Sequence, residues 1–112
     1  MPDAMLDRRV SPRYPLVLVG EITELASRTK MGARSSDVSR TGCYIDTLNA
    51  FTSGTKVLVR LIRGKAVFEC SGTIRYVSPR LGMGVQFEDH IPTTQIALLD
   101  RWLEEAAHVS SF

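Results

Sequence analysis

Two polar segments of the sequence carry side chains that could recognise an anion or the edge of a nucleotide base. Residues 8–13 place three guanidinium groups within six residues, and residues 37–42 combine a carboxylate, two hydroxyls and a glycine. A guanidinium group is a rigid planar fork that donates paired hydrogen bonds to phosphates and base edges. The two segments therefore favour binding chemistry over catalysis.

The second segment reads as a strand end that leads into a tight connection. At a strand end, the two-residue period puts the side chains of Asp37 and Ser39 on one face and points Val38 into a core. Gly42 then stands where a positive φ or a close backbone approach is needed. The same residue types also occur in ordinary surface turns for backbone reasons, so a turn without a ligand is the alternative.

The first segment reads as an arm that precedes the first strand. Arg9 and Arg13 would share a face of a helix, but Pro12 favours an extended or turned path. Fully extended, the two residues would lie roughly 13 Å apart, so only a turn at Ser11-Pro12 lets them meet one compact ligand. A basic tail that is merely solvated is the alternative.

Other chemistry finds little support in the sequence. His90 and His108 belong to no nucleophile motif, and the paired carboxylates lie at predicted surface positions. Cys43 and Cys70 are far apart and have no C-x-x-C partner, which indicates buried strand thiols. We expect no enzymatic activity, no metal site and no cofactor.

Composition predicts one soluble globular domain. The chain has 112 residues, 44% of them hydrophobic and 23% charged, and no apolar run approaches the roughly 20 residues that span a bilayer. No apolar stretch follows the first basic residues, so we expect no signal peptide, no membrane insertion and a cytoplasmic location. The net charge of +2 is small, but arginines outnumber lysines eleven to three.

The hydrophobic pattern divides the chain into an arm over residues 1–14, a β-structure over 15–91 and a helix over 92–107. Period-two alternation between turn signals predicts six or so short strands, typical of a small barrel or sandwich. The strands are expected at 16–22, before and up to Asp37, and at 43–48, 56–62, 66–77 and 81–88. The strand at 66–77 is expected to bend or bulge near Ser71-Gly72. Residues 26–33 are expected to form a loop or ragged hairpin.

The C-terminal segment has helical periodicity instead. Ile96, Leu99, Leu103 and Ala106 recur at helical spacing from Thr93 to Ala107, and a threonine cap follows Pro92. We expect this apolar stripe to pack on the β-structure. A helix that binds a partner or forms a dimer contact is the alternative.

Taken together, these motifs resemble the PilZ domain, the bacterial receptor module for cyclic di-GMP. The resemblance rests on Arg9-x-x-x-Arg13 with Arg8 before it, on Asp37-x-Ser39-x-x-Gly42, and on Gly82-x-Gly84-Val85-x-Phe87 before a C-terminal helix. It covers nearly the whole chain and implies a six-stranded antiparallel β-barrel with a C-terminal helix, whose arginine arm crosses the barrel mouth.

The resemblance also implies roles for the polar residues. The arginines would engage ligand phosphates and guanine O6 and N7, Asp37 would accept from guanine N1–H and N2–H₂, Ser39 would add a hydroxyl contact, and Gly42 would let the backbone lie close beneath the base. A further stacking residue could be Tyr76, Met83 or Arg40. The ligand-binding residues implied are Arg8, Arg9, Arg13, Asp37, Ser39 and Gly42.

Signalling would follow from ordering of a mobile arm on binding, which creates a surface for an effector protein. The alternative is a PilZ-like adaptor for motility or secretion machinery that does not need the nucleotide. A nucleic-acid polymer is not expected, because aromatic residues make up 7% of the chain and mostly occupy core-like positions. One or two ligand molecules, and a monomer or a ligand-dependent dimer, remain open.

Overall fold

The computed structural model describes residues 12–110, so Arg8 and Arg9 lie outside the described residues. Within this range, seven β-strands precede one helix. The elements are β1 (Tyr14–Pro15), β2 (Val19–Glu24), β3 (Lys30–Val38), β4 (Gly42–Asp46), β5 (Lys56–Arg63), β6 (Ala66–Ser78), β7 (Gly82–Phe87) and α1 (Thr93–Ser110).

Six of the strands close into a barrel. The strand order is β1-β3-β2-β5-β6-β7-β4, every neighbouring pair is antiparallel, and a further pairing between β3 and β4 completes the ring. The short strand β1 adds to β3 outside this ring, beside the end of β3 at Val38. The predicted six-stranded antiparallel barrel with a C-terminal helix is confirmed.

Alternating side chains fill the barrel interior. In β5, Val57, Val59 and Leu61 are fully buried whereas Arg60 is exposed, as the two-residue period predicts. Val38 is also fully buried, and the rings of Phe68 and Phe87 lie 5.2 Å apart in the core. Full burial of an aliphatic or aromatic side chain contributes about 1.5–3 kcal/mol to the stability of the folded state.

Helix α1 covers one side of the barrel with its apolar stripe. Leu99, Trp102, Leu103 and Ala106 are buried, and the helix packs against β1 and β6. The helix begins at Thr93 and ends at Ser110, past the predicted end at residue 107, and the carbonyl of Pro92 accepts hydrogen bonds in its first turn. Within residues 12–110, no helix combines the length and apolar character needed to cross a bilayer.

Three predicted features of the strands are wrong: one strand start, one loop and the position of one irregularity. The first barrel strand begins at Val19 instead of Leu16. Residues 30–33, predicted as loop, belong to β3 because they pair with β2. The β5–β6 register runs without interruption through Ser71 and Gly72, and the irregularity of β6 lies between Ile74 and Tyr76.

Candidate functional site

The connection from β3 to β4 forms a compact corner built around Ser39. Its hydroxyl accepts hydrogen bonds from the backbone N–H groups of Thr41 (3.2 Å) and Gly42 (3.1 Å), and it lies 3.2 Å from the carbonyl oxygen of Gly42. Ser39 is only 3% exposed. Its hydroxyl therefore shapes the turn, which is the backbone role that serine often has in turns.

Gly42 is required by a close backbone approach. A Cβ atom at Gly42 would collide with the carbonyl oxygen of Val85 on β7, the strand that pairs with β4. The glycines with positive φ in the described chain are Gly54 and Gly64 instead. Of the two sequence-based explanations for Gly42, close approach is therefore confirmed, and the approaching backbone is that of β7.

Arg13 reaches the corner through β1. Tyr14 pairs with Val38 and Pro15 pairs with Asp37, which carries Arg13 alongside the end of β3. There Nη1 of Arg13 donates to Oδ1 of Asp37 at 3.0 Å, with side-chain exposures of 48% and 33%. Two sequence segments separated by more than twenty residues thus meet in one ion pair.

A buried hydroxyl holds the segment between β1 and β2. The β3–β4 register shifts between Ser35 and Asp37, and Ser35 is fully buried at this irregularity. Its hydroxyl accepts from the N–H of Leu18 (2.9 Å) and donates to the carbonyl of Leu16 (2.7 Å). Backbone bonds from Leu16 N–H to the Ser36 carbonyl (3.3 Å) and from Ser35 N–H to the Leu18 carbonyl (2.9 Å) add to these contacts, so the segment is held against β3.

A cavity of about 230 Å³ lies beside the corner, which we call the corner pocket. β1 and the β3–β4 corner form one wall, and residues of β6 and β7 form the rest. Arg13 stands just before β1 and Arg75 stands on β6, so these two lining arginines belong to different walls of the pocket. The lining residues are Arg13, Thr41, Gly42, Arg75, Tyr76, Gly84, Val85 and Gln86.

The two glycines of β7 make room for tyrosine rings. A Cβ atom at Gly84 would collide with the ring of Tyr76. One at Gly82 would collide first with the backbone carbonyl oxygen of Ile45 and would also lie 2.6 Å from Cε2 of Tyr44. The two rings lie 6.1 Å apart, and Tyr76 remains 43% exposed. The Gly-x-Gly spacing therefore lets the Tyr76 ring lie across β7 at the edge of the corner pocket.

The structure separates the three candidate stacking residues. Tyr76 lines the corner pocket. Met83 is fully buried in the core, on the inward face that it shares with Val85, so it is excluded as a stacking residue. Arg40 lies in the corner, but its Nε is 3.2 Å from Oδ1 of Asp100 on α1, so it links the corner to the helix.

Two pocket residues were missed by sequence reasoning. Arg75 stands at the irregularity of β6 between Ile74 and Tyr76, and such irregularities re-aim side chains. Gln86 pairs with Gly42 across the β4–β7 ladder and is exposed. No local signal marks either residue, because both positions depend on which strands pair and in which register.

The cysteines take no part in this site. Both are free and buried, as predicted. Burial raises the pKa of the Cys70 thiol to about 12, and burial also raises the pKa of the Cys43 thiol far above its usual range. Both thiols stay protonated at neutral pH. In the stretch from residue 12 to residue 110, no group of three His, Cys, Asp or Glu side chains could hold a metal ion.

Solved structures share this fold. The PilZ domain of YcgR from Escherichia coli, solved with c-di-GMP, matches with a TM-score of 0.72 and 16% identity, over 93% of this chain and 95% of that one. The PilZ domain of CeSA from a cellulose-synthesizing bacterium matches with a TM-score of 0.63 and 16% identity, over 81% and 93% of the two chains.

A third structure is the Bacillus subtilis inhibitor of motility, MotI/DgrA. It matches with a TM-score of 0.71 and 17% identity over 94% of this chain, which spans about half (52%) of that longer protein. No curated protein matches the sequence. The family model of the PilZ domain matches residues 7–105, which include both arginine and corner motifs. The chain therefore belongs to the PilZ domain family.

Proposed function

We propose that this protein is a receptor for cyclic di-GMP, which it binds at the β3–β4 corner and reports to a partner protein. The observation that carries the proposal is the Arg13–Asp37 pair at the edge of the corner pocket. Family membership supports the same ligand, and the YcgR domain of this fold was solved with c-di-GMP.

The corner offers complementary groups for a guanine nucleotide. Asp37 presents two acceptor oxygens to the N1–H and N2–H₂ donors of guanine, and Arg13 presents paired donors to O6 and N7 or to a phosphate. In the free protein the two side chains bond to each other at 3.0 Å. Ligand binding therefore exchanges one charge-assisted hydrogen bond for several.

Ser39 and Gly42 contribute to the proposed site in different ways. Gly42 lines the pocket with backbone alone. Ser39 acts mainly through the turn it holds, since a direct contact with the ligand would require it to exchange a bond to Thr41 or Gly42. Arg8 and Arg9 complete the proposed site from the arm.

We further propose that binding orders the arm and so creates a surface for an effector. Arg13 is already held by Asp37, so ordering on binding concerns the residues before it. Amide exchange of residues 5–14 should slow on saturation with cyclic di-GMP. Unchanged amide signals and exchange rates in these residues would refute this part of the proposal.

The second candidate function is an adaptor that binds a motility or secretion partner without the nucleotide. The Arg13–Asp37 pair favours the adaptor in one respect, because the two charged groups at the corner are already bonded to each other without a ligand. Replacement of Arg9 and Arg13 separates the two functions: a receptor loses ligand and output together, whereas an adaptor keeps its partner.

Calorimetric titration tests the proposal. Wild type should bind cyclic di-GMP saturably and should not bind GTP or GMP, and the Arg9→Ala, Arg13→Ala double variant should lose binding. Arg34→Ala is the matched control. Arg34 forms an ion pair with Asp46, with an N–O distance of 3.4 Å, and neither residue lines the corner pocket. Absence of heat with every nucleotide would favour the adaptor.

A further inference from the structure

Among residues 12–110, Arg75 differs from Arg13 and Arg40 in having no carboxylate partner. Arg13 pairs with Asp37 and Arg40 pairs with Asp100. Arg75 forms no ion pair with any residue in the described range 12–110, yet it lines the corner pocket. Its charge is therefore available to an anion, whereas the charge of Arg13 is shared with Asp37.

The backbone of Arg75 is held in place by the loop before β5. The hydroxyl of Ser53 donates to the carbonyl of Arg75 at 2.9 Å. On the preceding residue, the carbonyl of Ile74 accepts from the N–H of Gly54 (2.6 Å), and its own N–H donates to the carbonyl of Thr55 (2.9 Å). Hydrogen bonds from outside the β6–β7 ladder therefore hold the backbone at the irregularity, and they fix the position from which the Arg75 side chain extends.

The surroundings of Arg75 suit a phosphate group. Among the described residues that line the corner pocket there is no carboxylate, and the polar side chains besides Arg75 are Arg13, Thr41, Tyr76 and Gln86. Arg13 and Arg75 both line the pocket, so an anion bound in it would have a guanidinium group on β6 and another beside the β3–β4 corner. A guanidinium group binds phosphate oxygens in a two-pronged geometry.

We propose that Arg75 is a phosphate-binding residue of the corner pocket. This inference rests on the proposed function, and it adds a ligand contact from β6 to those of the arm and the corner. Arg75 then acts together with Arg13, and the ligand bridges β6 to the β3–β4 corner.

Titration of wild type, Arg75→Gln and Arg75→Lys with cyclic di-GMP at two salt concentrations tests this role. Loss of a charge-assisted hydrogen bond should raise the Kd of Arg75→Gln about 10- to 100-fold. Arg75→Lys should lose less, because it keeps the charge without the planar fork. The affinity of Arg75→Gln should also depend less on salt than that of wild type.

Arg101→Gln is the matched control. Arg101 is exposed on α1 away from the pocket, and its replacement changes the net charge equally, so the Kd should stay within about twofold of wild type. If the Kd of Arg75→Gln also stayed within about twofold of wild type, with unchanged salt dependence, the proposed role of Arg75 would be overturned and the proposed function would stand. Absence of binding by wild type would overturn the proposed function and this inference together.

Discussion

Strand β3 contributes to two Arg–Asp ion pairs that resemble each other in chemistry and differ in setting. Arg13–Asp37 has an N–O distance of 3.0 Å and Arg34–Asp46 has one of 3.4 Å, and both pairs are partly exposed. Arg34 and Asp46 are direct partners in the β3–β4 ladder. Arg13 instead arrives from β1, beyond a register shift, and borders a pocket.

An ion pair alone therefore does not define a site. Exposed pairs contribute only about 0–1 kcal/mol to stability, and this applies to both. What distinguishes the corner is the interrupted ladder, which leaves backbone and side-chain groups around a cavity. A change at the corner should therefore have a different effect from a matched change in the regular part of the sheet.

The largest effect is expected for Gly42→Ala. The added methyl group would collide with the Val85 carbonyl oxygen and force β4 away from β7, so the free energy of unfolding should fall by about 3 kcal/mol. Gly32→Ala is the control, because a Cβ atom there meets nothing within 4 Å. Urea denaturation gives the free energy of unfolding of both variants. Equal losses would show that the backbone around Gly42 is packed no more closely than that around Gly32.

Asp37→Asn should weaken cyclic di-GMP binding next most strongly. An amide replaces one acceptor oxygen with a donor that faces the guanine donors, so the Kd should rise about 10- to 100-fold. The control Asp46→Asn removes the same charge from the regular ladder and should bind like wild type. Calorimetry measures both constants, and a similar loss in Asp46→Asn would mean that only overall charge matters.

Ser35→Ala should destabilise the protein without touching the pocket. The N–H of Leu18 and the carbonyl of Leu16 would lose their partner in a buried place, which costs about 1–3 kcal/mol. Ser36→Ala, next to it on β3, should change stability little. If thermal unfolding showed no difference between the two variants, Ser35 would not anchor the segment that follows β1.

The smallest effect is expected for Arg13→Ala without ligand. Because both members of its ion pair are exposed to solvent, the free energy of unfolding should fall by less than about 1 kcal/mol, and Arg34→Ala should behave alike. The two variants should diverge only in the presence of cyclic di-GMP. A large loss in Arg13→Ala alone would assign Arg13 a structural role.

Sequence reasoning predicted the features that depend on local pattern. The alternation of Val57, Val59 and Leu61, the inward Val38 and the helix start at Thr93 all follow from periodicity and capping. The sequence also indicates that position 42 needs glycine, but it does not indicate that the approaching backbone is that of Val85.

The missed features depend on distant pairing. Residues 30–33 form a strand because β2 pairs with them, although their composition is that of a loop. Arg75 enters the pocket because the β6–β7 register shifts there. The Ser35 hydroxyl forms hydrogen bonds with backbone groups of residues 16 and 18, and no local sequence motif predicts these bonds.

The most direct test of the central claim maps cyclic di-GMP onto the amide resonances of the protein. The account predicts that the largest shifts on saturation fall at residues 37–42, 75–76 and 84–86, while the amides of Arg34 and Asp46 change little. Binding without shifts at the corner, or with its largest shifts around Arg34 and Asp46, would contradict the account.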